Sequence, residues 1–226
     1  MKYGKISGFL ESARVLIENA RDIPSVALAV ADYGYDSHRL QGGVALLSAA
    51  QSLVSQQAKE YGESYQATEV MNRTWETADV AYVKAVKVAR VAFGDDPKAT
   101  VALRLSGPRK ETLPGWMEQA TLFYDNLLSD VGLQATMAQY GYLVTRLRDE
   151  QKLVAAVRQA VNVQARESGE AQSATLSRDK ALNALDTWVS AFKAICRVAL
   201  AEDPQQLEQL GIVVLNQARR KAKVNA

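Results

Sequence analysis

Shifting the chain against itself by 107 positions aligns residues 8–107 with 115–214 without a gap, and 27 of the 100 pairs are identical. The best anchored stretch pairs Ala31, Tyr33-Gly34-Tyr35 and Arg39-Leu40 with Ala138, Tyr140-Gly141-Tyr142 and Arg146-Leu147. The register holds through Glu60/Glu167, Gly62-Glu63/Gly169-Glu170, Asp79/Asp186 and Arg90-Val91-Ala92/Arg197-Val198-Ala199 to Asp96-Pro97/Asp203-Pro204. Coincidence does not hold one register over a hundred residues, so the sequence reads as two tandem copies of a unit of about 100 residues. The second copy is followed by a basic tail, residues 215–226.

Helix is the expected state of both copies. The five prolines stand at 24, 97, 108, 114 and 204, leaving 25–96 and 115–203 free of the residue that breaks helices. Leu182, Leu185, Val189, Phe192, Cys196 and Ala199 step by three and four, as do Trp75, Ala78, Tyr82, Ala85, Ala89 and Ala92. Leu46, Leu47, Ala50 and Val54, with Leu153, Val154, Val157 and Val161, make a further stripe, and nothing alternates at period two long enough for a strand. Each copy is expected to hold a short helix (9–21, 116–129), a long one (25–61, 132–168), a second long one (64–93, 171–200) and a short element opened by Asp-Pro. Ser106 to Pro114 is the seam between copies.

The bend between the long helices is placed at Gly62 and Gly169, because glycine suits a helix C-terminus. The competing reading is one helix of more than 50 residues running through each glycine. With the bend, the fold is all-α: an antiparallel bundle of four long helices plus short ones, a single domain of two repeats related by a pseudo-two-fold.

Four groups of residues invite a functional reading. The tyrosines Tyr33, Tyr35, Tyr140 and Tyr142 could line a pocket for an aromatic or cationic small molecule; alternatively, the glycine between them lets helices approach closely while the rings fill the layer. Glu60-x-x-Glu63, then Glu76-x-x-Asp79 twelve residues on, resembles the acidic spacing of all-helical MazG-type nucleotide pyrophosphohydrolases. That resemblance implies carboxylates on facing helices holding Mg2+. The second copy keeps Glu167, Glu170 and Asp186 but has Asn183 in the third place, and solvated acids flanking a turn explain the pattern equally. Asp79 with Arg90, repeated as Asp186 with Arg197 and three turns apart on one face, could serve catalysis but reads rather as ion pairs and caps. Arg219, Arg220, Lys221 and Lys223 are the only local basic cluster, a solvated terminus or a contact for RNA or acidic protein.

Composition removes other classes. A formal charge of +2, from 27 Lys and Arg against 25 Asp and Glu, gives no overall field for nucleic acid or an anionic membrane. One Cys and one His cannot form an intrachain disulfide or the usual zinc site. His38 reads as a surface residue near a helix start, and Cys196, on an apolar stripe, as core. No Gly-rich phosphate loop or Glu-x-x-His occurs, Glu11 and Arg14 interrupt any signal-like apolar stretch, and no 18 apolar residues run together. The expectation is a cytoplasmic, non-enzymatic helical interaction or structural module without a cofactor, self-associating or holding a protein partner. A small-molecule or Mg2+-dependent phosphohydrolase-like bundle is the first alternative and an RNA-binding bundle the second.

Overall fold

The computed structural model describes residues 3–213, of which 84% are helical, with no strand among them. Eight helices follow in order: α1 (Tyr3–Asp22), α2 (Pro24–Ala31), α3 (Ser37–Ala92), α4 (Pro97–Ala102), α5 (Leu113–Ser129), α6 (Val131–Ala138), α7 (Val144–Ala199) and α8 (Pro204–Gln209). No described helix is long and apolar enough to cross a membrane.

The positions of the breaks correct the expected bundle. Gly62 and Gly169 lie inside α3 and α7, each an uninterrupted helix of 56 residues, so two long helices replace the four expected. The chain breaks instead at Tyr-Gly-Tyr. Gly34 and Gly141 adopt φ of +80° and +79°, the left-handed region open to glycine. Behind each the hydrogen bonds close a Schellman cap: Tyr35 N–H donates to Val30 O and Gly34 N–H to Ala31 O, as Tyr142 N–H does to Met137 O and Gly141 N–H to Ala138 O. A helical glycine costs only about 1 kcal/mol relative to alanine. At Gly62 and Gly169 no turn chemistry competes for the chain, so the helix runs on.

Prolines 97 and 204 open α4 and α8, where Asp96 and Asp203 accept from the amides of Ala99 (3.0 Å) and Gln206 (3.2 Å). These are the N-caps the Asp-Pro pairs announce.

The helices gather into two compact units, whose limits fall within α3 and α7. The first takes the described residues up to Lys59 and from Gln172 onward. Its core packs Leu16, Ile17, Val26, Val30 and Tyr35 with Leu40 and Leu47 of α3 and with Leu185, Val189, Phe192 and Cys196 of α7. The second unit, Glu60–Ala171, packs Tyr82, Ala85 and Ala89 of α3 with Trp116, Phe123, Tyr124, Leu127 and Met137, and with Leu147, Val154 and Val157 of α7. Both apolar stripes of each long helix are therefore used, one per unit.

Candidate functional site

The two tyrosines of each motif take opposite environments. Tyr33 and Tyr140 are 48% and 49% exposed at the cap, whereas Tyr35 and Tyr142 are buried. In the first unit Tyr35 lies 4.7 Å from Phe192 and 5.7 Å, edge-on, from Trp188, ring centre to ring centre, and the Arg39 guanidinium stacks on it at 3.9 Å. In the second, Arg146 stacks on Tyr142 at 3.8 Å. Gly34 and Gly141 thus serve the caps and Tyr35 and Tyr142 the core, while Tyr33 and Tyr140 stay half in water. Close helix approach is not the reason for the glycines either: a Cβ at Gly141 would meet nothing within 4 Å, and one at Gly34 only Arg39.

Around Tyr142 the second unit builds a polar network. Arg146 donates to Glu150 Oε1 (3.0 Å) and to the Tyr142 hydroxyl (3.0 Å), while the Tyr124 hydroxyl donates to Glu150 Oε2 (2.9 Å). Glu150 is buried, its charge compensated by these donors. Burial first, and then the neighbouring Glu150 charge, push the Tyr124 phenol well above its ordinary value. At the positions 107 residues earlier, Ile17 and Gly43 stand in place of Tyr124 and Glu150. A charged residue on the core-facing side of α7 was the network's one sequence signal.

Continuity of α3 decides the fate of the acids. Glu63 and Glu76, on one unbroken helix, stand about 20 Å apart, and Glu76 is exposed. Asp79 is held elsewhere, accepting from Trp116 Nε1 (2.8 Å) and Arg109 (2.9 Å). Arg90 donates to Leu105 O and Gly107 O, both at 2.9 Å, fixing the segment after α4. The expected set Glu60, Glu63, Glu76 and Asp79 is therefore not assembled. What converges is Glu60 with Glu167 and Glu170, carboxylate oxygens within 4.8 Å of one another. Arg166 bonds Glu167 at 2.7 Å and reaches Glu170 at 3.7 Å, and the Glu167 bond holds its guanidinium above the ordinary value.

Next to these acids α3 and α7 form an open groove of about 330 Å3, lined by Glu63, Gln66, Ala67 and Val70 on one helix and Ala160, Val163 and Glu167 on the other. Val70 and Val163 are 50% and 42% exposed. On the other side of α3, Tyr61 and Tyr65 are also exposed. A larger groove over α5 is lined by Met117, Glu118, Thr121, Leu122, Asp125, Asn126 and Arg158. Its polar groups are engaged locally: Glu118 with Arg104, Asp125 with Gln151, Asn126 with Ala102 O and Arg158 with Thr121.

Cys196 is fully buried, which pushes its thiol up to about 12. His38 is exposed in the first turn of α3. Gln57 is buried in the first unit and Gln164 half-buried in the second. Arg219, Arg220, Lys221 and Lys223 lie outside the described residues. The chain matches no protein-family model, no curated protein and no solved structure.

Proposed function

We propose that this chain is a non-enzymatic helical interaction module of the cytoplasm that associates with copies of itself. The supporting observation is the apolar surface the second unit leaves in water: Val70 and Val163 flanking a groove, with Tyr61 and Tyr65 exposed on the same long helix. Large apolar side chains left in water beside a groove are a common feature of interaction surfaces. The phosphohydrolase reading needs Glu76 and Asp79 beside Glu60 and Glu63, and those residues are spread along one helix. RNA binding would draw on Arg219, Arg220, Lys221 and Lys223 alone.

The module is read as a product of tandem duplication, 8–107 and 115–214, with α3 and α7 antiparallel. Support comes from the recurrence of helices of 20, 8, 56 and 6 residues as 17, 8, 56 and 6. The matched caps at Gly34 and Gly141 and the matched arginine stacks on Tyr35 and Tyr142 add to it. In this reading the copies have exchanged segments, each unit combining the opening helices of one copy with the closing half of the other copy's long helix. Sedimentation velocity of the full chain up to about 100 µM tests self-association, the range in which modest interfaces form. Concentration-dependent oligomers are expected; a monomer throughout, or Mg2+-dependent nucleotide hydrolysis, overturns the proposal.

A further inference from the structure

We infer that the groove of the second unit receives the segment Val213–Lys223 of a second copy of the chain, an inference that rests on the self-association proposed above. The groove is graded. Its apolar end is made by Ala67 and Val70 of α3 with Ala160 and Val163 of α7, and its acidic end by Glu63 and Glu167, continuing to Glu60 and Glu170. From Glu60 to Val70 is ten helical residues, about 15 Å.

In the Glu60, Glu167 and Glu170 cluster carboxylates outnumber the cation that engages them. Three carboxylates meet within 4.8 Å, and Arg166 engages two of them, Glu167 and Glu170. Among the described residues the Glu60 carboxylate makes no ion pair or hydrogen bond. Such a cluster repels itself and is relieved by further positive charge.

The chain carries a segment of matching polarity. Val213, 82% exposed where the described residues end, is followed by Val214 and Leu215 and, after three residues, by Arg219, Arg220, Lys221 and Lys223. The separation between its apolar and basic groups, about seven residues, spans roughly 10 Å as helix and 23 Å extended. The 15 Å of the groove falls between these limits, so the apolar group can lie on Val70 and Val163 while the basic group reaches Glu60, Glu167 and Glu170. Guanidinium groups suit this site because they pair carboxylates in a planar fork.

A charge exchange between full-length chains tests the proposal. One variant carries Glu60→Lys and Glu170→Lys, the other Arg219→Glu and Arg220→Glu, and each is sedimented alone and in an equimolar mixture. Each alone should associate at least about tenfold more weakly than the unaltered chain, while the mixture, in which both pairings are again complementary, should recover. NaCl near 0.5 M should weaken the unaltered assembly.

An unaltered chain that self-associates together with variants that do so equally well overturns the groove proposal and leaves self-association standing. Loss on groove reversal but not on tail reversal overturns it in favour of groove-to-groove contact. A monomeric unaltered chain overturns self-association itself, and this proposal with it. Should Glu60→Lys lower the helical circular dichroism, the exposed Glu170→Lys replaces the double variant in the same exchange.

Discussion

Gly43 lies under the indole of Trp188: a Cβ on residue 43 would stand 2.5 Å from the ring. One chain half supplies the gap and the other the side chain that fills it. At the positions shifted by 107, Glu150 replaces Gly43, and Ala81 stands where Trp188 would be. The Glu150 carboxylate is held by Tyr124 and Arg146. Of these two sequence-matched positions, one is thus packed by aromatic rings and the other joined to a polar network.

Gly43→Ala should destabilise the chain by about 1–3 kcal/mol, the usual cost of forcing a methyl into a packed site. The adjacent Gly42, whose Cβ would meet nothing within 4 Å, provides the control. Gly42→Ala should stabilise by about 0.5–1 kcal/mol through the ordinary helix preference. Urea melts of the two variants should move in opposite directions; equal shifts would deny the contact with Trp188.

The unbroken course of α3 and α7 makes the opposite demand on Gly62 and Gly169. Neither has a neighbour within 4 Å of a built Cβ, and neither has positive φ. Gly62→Ala and Gly169→Ala should each stabilise by about 0.5–1 kcal/mol. Were either glycine at a bend in the left-handed region, alanine there would destabilise instead. A fall in urea midpoint for both variants would restore the four-helix arrangement.

These glycines show where the sequence was legible and where it was not. Helix itself was readable, because the three-four spacing of Leu182, Leu185, Val189, Phe192 and Cys196 is one buried face. The break was not, since glycine stands at Gly34 and Gly62 alike. Asp36, which accepts from the Arg39 amide at 2.8 Å, marks a helix start after Gly34, but Leu143 replaces it after Gly141 and erases the signal. The misplaced break then carried over to the acids: a turn at Gly62 would put Glu60 and Glu76 on facing helices, and without it all four acids run along one helix. Periodicity also names the buried face of a helix without naming its neighbour. That the stripe Trp75 to Ala92 packs on α5 rather than α1 follows from a long-range arrangement that local spacing does not encode.

Arg104 and Gly211 occupy matched places after α4 and α8, with φ of +49° and +69°. Glycine adopts this conformation freely, whereas a side chain costs about 1–2 kcal/mol. The Arg104–Glu118 pair is exposed and returns little of that. Arg104→Gly should therefore raise stability slightly, by about 0.5–1 kcal/mol after the greater freedom of an unfolded glycine is counted. Gly211→Ala should lower it by at least about 1 kcal/mol. Thermal melts that move together rather than apart would count against the matched geometry.

The network around Glu150 predicts a particular response to alkali. Burial raises the phenols of Tyr124, Tyr82 and Tyr142 above the ordinary 10.0, and Glu150 adds to the effect at Tyr124 and Tyr142. A group whose pKa is higher folded than unfolded contributes stability that is complete below the unfolded value and is lost as pH climbs toward the folded one. Stability should accordingly hold between pH 7 and 9 and fall as pH passes 10, with tyrosinate absorbance rising in step with unfolding. Tyr124→Phe separates the two roles of the hydroxyl. Near pH 7 it should cost about 1–3 kcal/mol, because the buried Glu150 loses a donor while Arg146 remains. Above pH 10 the variant should lose further stability less steeply than the parent, since one phenol no longer has to ionise. Urea midpoints measured for both proteins across this range should therefore converge as pH rises; a constant gap would place Tyr124 outside the alkaline transition.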